Sequence, residues 1–205
     1  MMMQQMDLVF ALAAFCVVTL FTPGPNNIML MTSGLNFGVR RSLPHMTGVS
    51  LGFALMMMGV GLGLGSIFHA WPVLYPVLKY AGASYLIFLA WKIAFSGPVQ
   101  TADETTGTPM TFLQAVAFQW VNPKAWVMAV GATSAYAAVA AFPFNVMLMA
   151  LFYGVLGFAS SGTWVGFGYG LQRIINNPRS VRVFNGAMAI LLVASLYPIF
   201  AEGWQ

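Results

Sequence analysis

Six stretches of the chain, near residues 8–33, 44–68, 77–96, 112–140, 144–170 and 183–203, are each long and apolar enough to cross a bilayer, a crossing that takes roughly 20 predominantly apolar residues in a helix. Little of the chain is left over for a soluble domain. Of its 205 residues 60% are hydrophobic and 6% charged, so a packed core beneath a solvated surface cannot be built from it. The expected fold class is an all-α polytopic membrane protein of six transmembrane helices. The N-terminus, MMMQQMDLVF, has Asp7 but no basic residue before the apolar run, unlike a cleavable signal peptide, so the first segment is read as a retained helix.

The net charge of +4 matters less than where the charges fall. Arg40 and Arg41 follow segment 1, Lys92 ends segment 3, and Arg173, Arg179 and Arg182 lie between segments 5 and 6; Lys79 alone lies near the opposite face. The positive-inside rule then places both termini outside the cytoplasm. The single Cys16 excludes an internal disulfide, a Cys-pair redox centre and a thiolate metal site.

The second half echoes the first. Pro23 matches Pro123, Gly52-Phe53-Ala54 matches Gly157-Phe158-Ala159, Gly61, Gly63 and Gly65 match Gly166, Gly168 and Gly170, and Gly82-Ala83 matches Gly186-Ala187, at offsets of 100 to 105. Ordered matches in all three helices of each half mark an internal repeat. A unit of three helices enters on one side and leaves on the other, so its copy runs in the opposite sense: a 3+3 inverted repeat, residues 1–96 and 112–205, joined by a cytoplasmic linker at 97–111 rich in Gly, Pro, Thr and acid. That linker is no nucleic-acid patch.

Segments 1 and 4 are broken at matching places, by TPGPNN (residues 22–27) and QWVNPKAW (residues 119–126). Thr22 can cap a helix or Pro23 can end one, Gly24 permits unusual dihedrals and Pro25 suits a first turn. Asn122 is a good N-cap and Pro123 a good first helical residue, with Lys124 next. Each break creates a helix N-terminus, whose unpaired N–H groups and positive dipole end attract an anion. Paired broken helices in inverted repeats point to a transporter with a site near the midplane.

Lys124 is the one ionised side chain well inside a segment, where an unpaired charge costs several kcal/mol, and no acid lies deep: Asp7 and Glu202 are terminal, Asp103 and Glu104 belong to the linker. The expected partner is a substrate carboxylate. Lys124 and the broken ends would bind the α-carboxylate of a zwitterion, while Asn26, Asn27, Asn122 or Gln119 hold its amine. The bland alternative is a packing kink with Lys124 snorkelling or bonding a backbone carbonyl; two polar breaks at matching repeat positions weigh against it.

The series Gly48/Gly52, Gly59/Gly63, Gly61/Gly65 and Gly162/Gly166/Gly170 has the spacing of close helix contacts, compatible with a homodimer without demanding one. His45 and His69 sit at opposite ends of segment 2 and cannot share a metal; His45 keeps a small claim as a proton carrier. Trp71, Tyr75, Tyr80, Trp91, Trp164, Tyr197 and Trp204 lie mostly near segment ends, as an interfacial belt does, and Trp120 and Trp126 flank the second break.

TPGPNNIMLMTSGLNFGVRRSLPHMTGVSLGF, QWVNPKAW and AGASYLIFLAWKI in segment 3 resemble the LysE/RhtB family of amino-acid exporters, over the whole chain. The resemblance implies a bacterial inner-membrane protein that exports a small neutral amino acid or derivative by exchange with protons. The branch it looks most like exports cysteine and O-acetylserine, followed by the homoserine and threonine exporters; export of lysine, arginine, leucine or another small metabolite is the alternative. The family's motif residues map onto Pro23, Gly24, Pro25, Asn26, Asn27, Asn122, Pro123 and Lys124, with no departure. Proton exchange rests on the resemblance, the candidate carriers being Lys124, His45 or the substrate itself. The partners implied are an amino acid, protons and lipid, with no cofactor and no nucleic acid.

Two other classes fit poorly. An intramembrane protease needs Ser with His, or paired Asp, at depth, and a metal-cation transporter needs clustered oxygen, imidazole or thiolate ligands, which Lys124 would oppose. A membrane scaffold has no use for two polar breaks.

Overall fold

The computed structural model describes residues 2–64, 70–95, 108–175 and 177–197. Gly65, His69, Asp103, Glu104, Glu202, Trp204 and most of the 97–111 linker lie outside the described residues, as does the side chain of Tyr75.

All regular structure among the described residues is helical. Helix α1 (Met2–Phe21) stops where Pro23 can neither donate to the ladder nor follow a helical residue without a clash. Helix α2 (Pro25–Gly59) begins with Pro25 in its first turn and runs into one wider turn, Val60–Leu64. Inside α2, Gly38 takes φ 74° and ψ 175°, a left-handed conformation natural to glycine. Its effect is a reversal of the chain: the hydroxyls of Ser33 and Ser42 meet at 2.9 Å, whereas nine residues of straight helix would separate them by about 13 Å. So α2 is a helical hairpin with limbs 25–37 and 39–59.

Helix α3 (Leu74–Ala94) follows. Helix α4 (Phe112–Val121) opens on a capping box, Thr111 Oγ1 accepting from the Gln114 amide and Gln114 Oε1 from the Thr111 amide. It ends at Asn122, which caps helix α5 (Pro123–Ala135). Helix α6 (Phe144–Gln172) and helix α7 (Pro178–Ala194), the latter again opened by an Asn-Pro pair, Asn177 and Pro178, complete the fold.

Limb 39–59 runs antiparallel along α6: a Cβ on Gly162 would lie 3.5 Å from Met46, and one on Gly154 3.5 Å from Ala54. Limb 25–37 packs on the far end of α6, where a Cβ on Gly34 would strike the Val165 carbonyl and one on Gly168 the Met31 carbonyl. Two cores result. The first, with Leu12, Cys16, Phe53, Met56, Met128 and Tyr153, joins α1, limb 39–59, α5 and α6; the second, with Ile28, Leu86, Leu89, Phe118 and Leu192, joins limb 25–37, α3, α4 and α7. Both helix breaks lie along the seam between them.

The outside is apolar as well. Leu51, Leu55, Ile87, Leu151, Val155 and Ile190 are each more than half exposed, the pattern of a surface facing lipid rather than water. Pro25–Leu64, Pro76–Ala94 and Phe144–Gln172 are each long and apolar enough to cross a membrane, and Gln5–Phe21 and Phe112–Val121 are shorter apolar helices.

Spacing and contact diverge at the glycines. Gly48 and Gly52 do meet α4, within 2.7 Å of Ala115 Cβ and Val116 Cα for an added Cβ. Gly166 and Gly170 meet nothing within 4 Å, and Gly168, two residues out of phase with them, makes the close contact.

Candidate substrate site at the broken helices

Gly24 leaves α1 in an extended conformation, φ −175° and ψ −179°, and caps α2 with no side-chain bond. The amide of Ile28 returns to the Gly24 carbonyl at 3.0 Å; among the described residues the amides of Asn26 and Asn27 have no acceptor. This N-terminus is therefore open. The second break differs, because Asn122 Oδ1 accepts from the Lys124 amide at 3.2 Å and the Asn122 carbonyl takes the Ala125 amide at 3.0 Å. Both breaks were expected to expose donors, and Asn122 closes its own.

Lys124 reaches across from α5 to α1. Its ammonium donates to the Thr22 carbonyl, one of the acceptors freed where α1 ends, and its side chain lies against Gly24, where an added Cβ would be 2.7 Å from Lys124 Cδ. Asn27 Nδ2 holds the same chain end, donating at 2.9 Å to both the Leu20 and the Thr22 carbonyls. Asn26 and Gln119 pair through both amides, at 2.8 and 3.3 Å, tying α2 to α4.

Between the breaks lies a cavity of about 40 Å³, room for about three waters at the ~10–15 Å³ that each requires. Gly24, Asn26, Asn27, Asn122 and Lys124 line it. Thr22, Pro23, Pro25, Gln119 and Pro123 stand behind that wall: the prolines shape the breaks, Gln119 braces Asn26, and the Thr22 hydroxyl turns back to Val18 rather than capping α2. The opposite wall was not singled out in the sequence. It is formed by Val49, Ser50 and Phe53 of limb 39–59 and by Tyr153, Gly157, Ser160 and Ser161 of α6, with Thr19, Leu20, Ala125 and Met128 closing the sides. The available signal was polar residues inside apolar spans, "TGVSLGF" and "FASSGTW".

Trp120 and Trp126 brace each other across the second break, edge to face at 6.1 Å, with Trp126 Nε1 donating to the Trp120 carbonyl; neither lines the cavity. His45 is 2% exposed, apart from the cavity, and neither of its ring nitrogens has a partner among the described residues. No group of three His, Cys, Asp or Glu residues able to hold a metal occurs among the described residues.

The sequence model of the LysE type translocators matches residues 17–195. The chain belongs to the LysE family. Both breaks, the hairpin and every cavity-lining residue fall inside that match. This LysE-family chain is 31% identical over 197 residues to proteins named "Cysteine/O-acetylserine efflux protein" in Escherichia coli (strain K12) and Shigella flexneri, an overlap of 94% of this chain and 97% of each relative. No solved structure was found to match it.

Proposed function

We propose that the chain is a secondary active exporter of a small neutral amino acid or derivative, of the cysteine/O-acetylserine or threonine/homoserine type, across the bacterial inner membrane in exchange for protons. Its substrate site is the cavity between the two broken helices. The single observation that carries the reading is Lys124: a cation within the apolar fold, beside the open N-terminus of α2, answered among the described residues by a backbone carbonyl alone. A carboxylate placed there gains the ammonium and the Asn26 and Asn27 amides together. The amide oxygens of Asn27 and Asn122, which line the same cavity, suit the ammonium of the same zwitterion. A cavity of about 40 Å³ takes a free amino acid only when its walls part, as alternating access requires.

Six transmembrane helices in a 3+3 inverted repeat account for the arrangement. Limb 39–59 packs its Gly52 on α4, the helix before the second break, and α6 packs Gly157 near Leu20 of α1, the helix before the first; each half embraces the broken helix of the other.

The test is efflux from proteoliposomes loaded with labelled cysteine, O-acetylserine, threonine, homoserine or lysine. Losing a charge-assisted bond weakens apparent affinity by roughly tenfold to a hundredfold, so Lys124→Ala is expected to lose efflux of the preferred neutral amino acid. Unchanged affinity and transport in that variant would overturn the site. Proton exchange predicts acceleration by an imposed pH gradient at zero membrane potential, and indifference to the gradient would remove the coupling.

A further inference from the structure

Five hydroxyls line the cavity, those of Thr19, Ser50, Tyr153, Ser160 and Ser161, and a count of their protons says what they can receive. A hydroxyl has one proton to give and two lone pairs to accept with. Ser50 gives its proton to the Met46 carbonyl at 2.9 Å, so its longer contact with Ser161, 3.3 Å, runs from Ser161 to Ser50. Ser160 gives its proton to the Leu20 carbonyl at 2.9 Å. Thr19 gives its own to the Phe15 carbonyl at 2.7 Å, and the Tyr153 proton goes either across the 3.3 Å contact to Thr19 or to the Cys16 thiol beside it. Every one of these protons is committed within the protein, and the oxygens of Ser160 and Ser161 accept nothing among the described residues.

Ser50, Ser160 and Ser161 are 2%, 2% and 3% exposed and line the cavity. Their spare lone pairs are buried, and an acceptor kept from water gains most from a ligand that brings a donor. We propose that Ser50, Ser160 and Ser161 are the side-chain subsite of the transport site, selecting an amino acid whose short side chain ends in a donor, a hydroxyl or a thiol, over one that ends in a methyl. This rests on the carboxylate being held at Lys124, which directs the substrate side chain toward α6 and limb 39–59. Serine and cysteine satisfy the wall. Alanine offers nothing to it.

The experiment is efflux of labelled serine, cysteine and alanine from proteoliposomes holding the wild type, Ser161→Ala or Ser50→Ala/Ser161→Ala. One recovered hydrogen bond is worth about threefold to tenfold. The wild type is expected to prefer serine and cysteine to alanine by that factor, and the preference should shrink in the single variant and further in the double. Equal export of serine and alanine by the wild type overturns the proposal without any variant. A preference untouched by the substitutions also overturns it, as does a uniform loss for all three substrates, which would assign the serines to the α-ammonium. Lys124→Ala run alongside separates the two readings: normal serine efflux in it removes the carboxylate site, whereas an intact preference in the serine variants removes the subsite.

Discussion

Lys124 can lean across to α1 because Gly24 leaves it room. The backbone there is extended, which any residue can adopt, so the demand for glycine is one of space: a Cβ would come within 2.7 Å of Lys124 Cδ and 3.1 Å of its ammonium. The obstructed group is the far end of a flexible side chain, which can move at little cost. Gly24→Ala is therefore expected to leave thermal stability nearly unchanged while displacing the ammonium from the Thr22 carbonyl, with a loss of roughly threefold to tenfold in apparent substrate affinity, part of a charge-assisted bond. Loss of the folded protein in that variant would show that the glycine serves packing alone. At this scale the sequence was legible where chemistry is local. Pro23, Pro25, Pro123 and the Asn122 cap could be read because capping depends on immediate neighbours. The serine wall could not, since Ser50 and Ser161 become neighbours only when a hairpin limb lies against α6.

Between elements, contact is decided by the phase of a helix face rather than by spacing along it. The run Gly162/Gly166/Gly170 has ideal four-residue spacing, but Gly166 and Gly170 face away from the bundle, and Gly168 is the residue that lets the α2 backbone approach α6. An added methyl at 168 would collide with the Met31 carbonyl, a rigid obstacle, so Gly168→Ala should cost about 1–3 kcal/mol of stability. Gly166→Ala, with nothing within 4 Å, should cost little. Thermal unfolding of both variants in the same detergent checks the pair, and equal midpoints would contradict the contact. The α2 hairpin escaped the sequence reading for a similar reason. A connection of several residues was expected between segments ending at 33 and starting at 44, yet Gly38 alone reverses the chain and helix continues on both sides. Glycine in an apolar helical pattern signals a permitted conformation, not whether the chain takes it.

At the scale of the whole molecule, the hairpin also decides where the charges gather. Gly38 lies beside Tyr169, and Gln172 Nε2 donates to the Leu35 carbonyl at 2.8 Å, so the turn of α2 and the end of α6 share one end of the protein. Arg40 and Arg41 stand just past that turn and Arg173 just past α6; Arg179 and Arg182 lie in the first turns of α7, which the Asn36–Asn185 amide pair, 3.0 and 3.1 Å, fastens to limb 25–37. Five of the eight basic residues thus collect at one end through contacts, a stronger statement than their order along the chain allowed. Each is worth about 1 kcal/mol near an anionic leaflet, and the bias is toward the cytoplasm. In a Cys16→Ala background, Arg179→Cys should resist a membrane-impermeant maleimide in intact cells and react once the membrane is opened, while Gln5→Cys, at the start of α1, should react from outside. The reverse pattern would invert the protein and turn the Lys124 break to face the other way in the transport cycle. Labelling of both positions from both sides would mean two orientations in one membrane, and with them the loss of any fixed direction of export.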